Sequence, residues 1–257
     1  MDTGNATQEL INHREQWNRK PVLRDIYYEY FSLIREASIE GRTLEVGGGS
    51  GNFKARFPEI ISLDVVPLPW LDIIADAQIL PIRDGSIANI VMVDVLHHVE
   101  HPSTFFTEVE RVLQPGGRMI FIEPAITPVS RVFLTLFHPE PIDLRINPLE
   151  EHPRDPAREP FDANQAIPTL LFGRYRDRFE KRFPNLKIKK IQYLDIFTYP
   201  LSGGFRAWSL VPHRCLCLIR RVERLLLPAF GPMMAFRYYG IIEKTGKRAG
   251  KEKTDGS

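Results

Sequence analysis

Cysteine is nearly absent from this 257-residue chain: Cys215 and Cys217 are the only two, and they lie one residue apart. In a strand they would point to opposite faces, and in a helix they are not neighbours. They therefore make a poor disulfide pair, and the chain reads as a reduced, cytoplasmic protein. No stretch reaches 18 uncharged apolar residues, which excludes a membrane-spanning helix by sequence. The first twenty residues, MDTGNATQELINHREQWNRK, have no apolar run and do not resemble a secretion signal. The formal net charge is only +2, so nothing global demands a nucleic-acid partner. No internal repeat or low-complexity tract interrupts the sequence.

What charge there is sits unevenly. Phe205–Lys253 holds eleven Lys/Arg against three Asp/Glu, a local excess of 11 − 3 = +8. The same stretch carries Trp208, three leucines at 225–227 and a basic amphipathic helix over 213–227. A solvated face over an apolar core explains such a helix, as does contact with an anionic lipid surface through residues 205–234.

The rhythm along the chain divides it. Residues 7–19 are polar and helical, and 22–39 place apolar and aromatic residues at helical spacing until Gly41 stops them. From residue 42 the pattern alternates. Strands are expected at 42–46, 59–65, 71–76, 86–96 and 117–124, with helices at 51–57 and 102–114 between them. Pro115-Gly116-Gly117 should break the second of these helices. The later segments predict a core-facing helix at 129–138, a helix at 167–183, strands at 186–199 and 235–245, and a disordered tail over 246–257. This order predicts an α/β fold: a Rossmann-like, doubly wound, mostly parallel seven-stranded sheet with helices on both faces and a final antiparallel strand. One domain spans 1–257: helices over 1–40, a core over 41–124, and insertions at 125–186 and 202–232 that form a lid or pocket. Ligands of such sheets bind at the carboxyl ends of the strands.

At the first of those ends stands LEVGGGSGNF, residues 44–53. Four glycines in five residues weaken any regular element, and the usual reason is a sharp turn with close approach of a ligand. A P-loop needs Lys-Ser/Thr after the last glycine, but Asn52-Phe53 follow Gly51. The dinucleotide fingerprint needs G-x-G-x-x-G, whereas glycines at 47, 49 and 51 give G-x-G-x-G.

LEVGGGSGNF, LDVVP, ADAQILPIRDGSIANIVMVDVLHHVEHP and EVERVLQPGGRMIFIEP together resemble class I S-adenosylmethionine (SAM)-dependent methyltransferases of the type 11 domain family. The resemblance covers residues 42–124 strongly and the two late strands weakly. It implies SAM as cofactor. Glu45 would open the loop, and Gly47, Gly49 and Gly51 would pass under the methionine and ribose. Asp64 would accept from the ribose hydroxyls, Val65 would lie against the adenine, Asp76 and Ala77 would meet its edge, and Asp94 would line the methionine side. Only twelve residues separate Gly51 from Asp64, so the first helix is short, a departure that bears on how the adenosine is covered but removes no contact residue.

His98 is the candidate general base, weighed against a hydrogen-bonded wall residue; His97 is a weaker candidate. No metal is expected from His97, His98 and His101, because no cysteine lies near and Pro102 opens a helix. His138, Glu140 and Asp143 belong either to the pocket or to loop structure. The expected activity is methyl transfer to a small-molecule or lipid-like, amphiphilic acceptor. An RNA methyltransferase using the late basic region stays open, although no N-P-P-Y-type motif follows the fourth strand. So does a non-catalytic partner protein that has kept the fold.

Overall fold

The computed structural model describes residues 4–246. The chain opens with two helices, α1 (Gly4–Arg19) and α2 (Pro21–Ala37), joined at Lys20. Pro21 suits the first position of α2, where the missing N–H costs nothing. Alternation follows: β1 (Thr43–Val46), α3 (Asn52–Arg56), β2 (Ile61–Asp64), β3 (Ile73–Ile74), β4 (Ile87–Val93), α4 (Pro102–Val112) and β5 (Leu113–Pro124). Then come α5 (Pro128–Phe137), α6 (Ile167–Thr169), α7 (Arg176–Arg182), β6 (Leu186–Leu194), α8 (Thr198–Ser202), α9 (Leu216–Met234) and β7 (Arg237–Lys244).

Among the described residues, seven strands make one sheet in the order β3-β2-β1-β4-β5-β7-β6. β1 to β5 pair in parallel, and β7 runs antiparallel between β5 and β6. The central strand β4 is buried along all but its last residue, as a sheet covered on both faces requires. On one face, Phe105, Phe106, Phe179 and Phe183 pack over Ile90 and Met92. On the other, α2 sets Ile26, Tyr30 and Ile34 against Val91, Ile120 and Ile122. The expected α/β class, strand count and parallel core are therefore present.

Several local expectations need correction. α2 ends at Ala37, before Gly41, because Ser38 returns its amide and hydroxyl to Ile34 O, and Asn89 then holds both the N–H and the C=O of Ile39. β3 shrinks to two residues, and Asp72 just before it stays exposed while its side chain accepts the Ser62 amide. Pro115-Gly116-Gly117 do not separate α4 from its strand. They form a bulge inside β5, with Gly116 at φ +73, so that Leu113 still pairs with Ile87. The helix expected over 167–183 is broken by a π turn at Leu170–Arg174, where Leu170, Leu171 and Phe172 all bury and Phe172 stacks on Phe121 at 4.8 Å. α5 is not core-facing: only Ser130 and Leu134 are buried, while Val132, Leu136 and Phe137 are exposed. The strand expected to reach residue 199 stops at Leu194, where Asp195 takes a positive φ of +53. α9 runs past 227 to Met234, carrying Pro228 and Pro232 within it. The tail expected at 246–257 lies, from residue 247 onward, outside the described residues.

Candidate functional site

The carboxyl end of β1 feeds directly into the glycine turn. The amides of Gly47 and Gly48 both donate to Leu63 O, at 2.8 and 2.9 Å, and tie the turn to β2. Gly47 has φ +75, and a Cβ there would sit 2.2 Å from a Val95 methyl. Gly51 has φ +73, and a Cβ there would meet the Trp70 ring at 2.4 Å. These positions admit no side chain. Trp70 donates its indole N–H to Gly49 O at 2.8 Å, and Arg14 lies 4.2 Å from the Trp70 ring. α1 thus folds over the loop and supplies the cover that the short α3 does not.

Carboxylates surround this turn. Glu45 is buried and accepts from Ser62 Oγ at 2.5 Å; burial pushes its pKa up to about 8. Asp64 accepts the Gly49 amide on Oδ2 at 2.8 Å and the Val66 amide on Oδ1 at 3.0 Å. Burial raises its pKa, and those amides oppose the rise. Asp76 accepts from the amide and side chain of Gln78 and lies 3.3 Å from Arg154. Asp94, at φ +60, is gripped by both terminal nitrogens of Arg237 and accepts from Tyr27 at 3.0 Å.

A cavity of about 630 Å³ opens above the strand ends. Its lining includes Glu45, Gly47, Gly49, Asp64, Val65, Asp76, Ala77, Asp94 and His98. Gly51 is the exception among the expected residues: it backs onto Trp70 and precedes α3. Aromatic side chains also line it, among them Phe133, Phe137, Phe161, Phe205 and Trp208, with Phe161 packed in the cluster that holds Val65 and Val66.

A 3-10 turn, Leu96–His98, also reaches the cavity, which His97 and His98 line. His97 is buried, with Nδ1 2.7 Å from Glu123 Oε2, while Glu123 Oε1 accepts the amides of Val95 and Leu96. Burial opposes charge on His97, but Glu123 and Glu140 outweigh it and raise the pKa to about 10. His98 behaves oppositely. Burial and the neighbouring His97 push it down to about 3, so its ring stays neutral and gains little by taking a proton. Its Nδ1 is buried without a hydrogen-bond partner among the described residues. Glu140 is held well below the usual carboxylate range by the surrounding imidazoles, against the cost of its burial.

Comparison with known proteins agrees with this geometry. Residues 44–121 match the family described as Methyltransferase domain. Two solved structures share the fold: a SAM-dependent methyltransferase, possible histamine N-methyltransferase, from Thermotoga maritima, and a SAM-dependent methyltransferase from Archaeoglobus fulgidus. The first is 16% identical with TM-score 0.56, covering 94% of this chain and 99% of that one. The second is 15% identical with TM-score 0.51, covering 86% and 94%. Residues 44–121 form a methyltransferase domain. The methyltransferase domain also has curated relatives. Phthiotriol/phenolphthiotriol dimycocerosates methyltransferase 1 of Mycobacterium ulcerans is 40% identical over 57 residues, 22% of this chain and 21% of the relative. An uncharacterized 37.1 kDa transposon protein of Streptomyces fradiae is 41% identical over 58 residues, 22% of this chain and 17% of the relative. The chain thus matches about a fifth of the length of these curated relatives.

Around the methyltransferase domain stand residues that no local pattern exposes. Glu140 joins the site, as one of the two readings of HPEPID allowed, whereas Asp143 is half-buried and pairs with the exposed Arg145. Arg237, Tyr27 and Glu123 come from β7, α2 and β5. Lys20, between α1 and α2, lies with Nζ within 2.6–3.0 Å of the carbonyl oxygens of Ser202, Gly204, Arg206 and Trp208. It falls between the helices expected at 7–19 and 22–39, so no signal in the sequence singled it out.

Proposed function

We propose that this chain transfers a methyl group from SAM to a small-molecule acceptor of apolar or amphiphilic character. The observation that carries the reading is the single cavity that joins the side-chain-free turn at Gly47, with Asp64 beside it, to the aromatic wall at Phe133, Phe161 and Phe205. Its size is that of ordinary small-molecule sites, which run about 300–1,000 Å³.

The residues present suit SAM. Bound there, SAM supplies a methyl group already activated by its sulfonium charge. Asp64 accepts two backbone amides but keeps lone pairs for two hydroxyls, since an ionised carboxylate offers about four acceptor sites. Val65, Asp76 and Ala77 would hold the adenine, Asp94 would line the methionine side, and Gly47 and Gly49 would bring bare backbone under both. α1 and the 202–208 segment would limit water, and the aromatic wall would orient the acceptor. The Mycobacterium ulcerans relative, by its name a lipid methyltransferase, lends modest support to an amphiphilic acceptor.

Two exposed apolar faces support peripheral membrane contact by such an enzyme. α5 presents Val132, Leu136 and Phe137, and α9 presents Leu218, Leu225 and Phe230. Phe137 is both exposed on that face and part of the cavity lining. The basic character of α9 is weaker than its composition suggests, because Arg220 and Arg224 are both paired with Glu29. Arg214 and Arg221 remain exposed.

Calorimetric titration of SAM and S-adenosylhomocysteine into wild type and Asp64→Ala tests the cofactor reading. Micromolar binding, weakened at least tenfold in the variant, is expected; no binding to the wild type would sink it. A panel of hydrophilic and lipid-linked acceptors then tests the acceptor class, and methylation of hydrophilic acceptors alone would reject it.

A further inference from the structure

Two imidazoles face one carboxylate midway along the cavity. His97 Nε2 is 3.4 Å from Glu140 Oε2, and His98 Nε2 is 3.9 Å from Glu140 Oε1. Charge-assisted hydrogen bonds run at about 2.7–2.9 Å, so neither contact is a good one. The distances suit a different arrangement. Two donors each about 2.0–2.1 Å from a zinc-type ion, at a tetrahedral angle, stand about 3.4 Å apart. The ligand atoms of His97, His98 and Glu140 all lie within 4.8 Å of one another.

The surroundings point the same way. Glu123 is fully buried, fixed by the amides of Val95 and Leu96, and faces His97 Nδ1 at 2.7 Å. With Nδ1 keeping its proton toward Glu123, Nε2, on the Glu140 side, is the nitrogen that would give up its proton to an incoming ion. Carboxylates orient metal-binding imidazoles in this way. Gln165 Nε2 donates to Glu140 Oε2 at 2.8 Å and steadies the carboxylate. The lack of nearby cysteine, which argued against metal in the sequence, does not exclude a set of two histidines and one carboxylate. The second cluster, Glu100, His101 and His152, is less suited, because Arg154 and Arg158 lie near enough to repel a cation from it.

We propose that His97 Nε2, His98 Nε2 and Glu140 bind a divalent cation of the zinc type, with a remaining coordination position open to the cavity. Three protein ligands and one open position are the pattern of catalytic rather than structural zinc. In that position the ion would hold and polarise an oxygen of the acceptor. That role rests on the methyl-transfer reading; the binding of the ion does not.

The test uses tag-free full-length protein, stripped with a chelator and titrated with Co2+ and with Zn2+, alongside S-adenosylhomocysteine titrations of the same samples. We expect one equivalent of either ion with Kd at or below the micromolar range, and visible cobalt bands of tetrahedral intensity. His98→Ala and Glu140→Gln should each weaken binding by about a hundredfold, and Glu123→Gln by roughly ten- to a hundredfold. Glu140→Asp keeps the charge and should fall between wild type and Glu140→Gln. Absence of stoichiometric cobalt binding by wild type overturns the proposal. So does equal affinity in wild type, His98→Ala and Glu140→Asp when S-adenosylhomocysteine binding shows them folded. Wild type that binds cobalt but not S-adenosylhomocysteine would reject the methyl-transfer reading and leave the metal site standing.

Discussion

Arg237, the first residue of β7, grips Asp94, the residue that follows β4, with both terminal nitrogens, although 143 positions separate them. The guanidinium lies 3.7 Å from the Tyr199 ring, and Tyr27 adds a hydrogen bond to the same carboxylate. The pair holds Asp94 in its left-handed backbone conformation at the edge of the cavity.

Arg237 is almost wholly buried, so removing either partner leaves a poorly solvated charge. Arg237→Met and Asp94→Asn should each cost about 3–5 kcal/mol in urea unfolding. The double variant should cost less than their sum, since the second change removes the orphaned charge. Strict additivity would mean that the pair is not coupled.

Lys20 clamps the 202–208 segment, which forms part of the cavity wall, by lying against four of its carbonyls. Lys20→Met should free that segment. Trypsin cleavage after Arg206 should become on the order of tenfold faster, with stability falling by about 2 kcal/mol. Unchanged cleavage would show that the segment is held by its other contacts.

Glu45 gives a pH signature. Burial raises its pKa from an ordinary 4.5 to about 8, so the folded state holds a proton that the unfolded state releases. Its contribution is fully present below about pH 4.5 and is lost as pH climbs to 8. Relative to Glu45→Gln, whose side chain does not titrate, wild type should lose melting temperature progressively between pH 5 and 8 and then level off. A constant difference between the two across that range would refute the assignment.

Vesicle flotation tests the membrane surface. With anionic liposomes, Arg214→Glu/Arg221→Glu should reduce bound protein roughly tenfold or more, since each basic residue near such a surface contributes about 1 kcal/mol. Neither residue takes part in the ion pairs that tie α9 to Glu29. Equal flotation of wild type and variant would dismiss the contact.

The residues expected to meet SAM carry local signals. Gly47 and Gly49 stand in one turn, Asp64 ends a strand, and Asp76 follows another, and it was their likeness to the type 11 family that suggested their roles. The acceptor half was not legible in this way. HPEPID left Glu140 and Asp143 equivalent, and only folding put the first against His97 and the second against Arg145. Glu123 looked like the end of an apolar strand until β5 lay beside β4 and carried it under His97. α5 misled because an apolar helix is expected to face a core, yet this one leaves Leu136 and Phe137 exposed.

Taken alone, the sequence determined the alternation of strands and helices, the glycine turn and the carboxylates at strand ends, because hydrophobic period and backbone freedom act over a few residues. The tertiary structure decided which distant side chains meet: Asp94 with Arg237, His97 with Glu123 and Glu140, and Lys20 with the carbonyls of 202–208. Those pairings depend on strand order and on how loops close over the sheet. Charge and hydrogen bonding reward proximity in space, and proximity in space leaves no period along the chain.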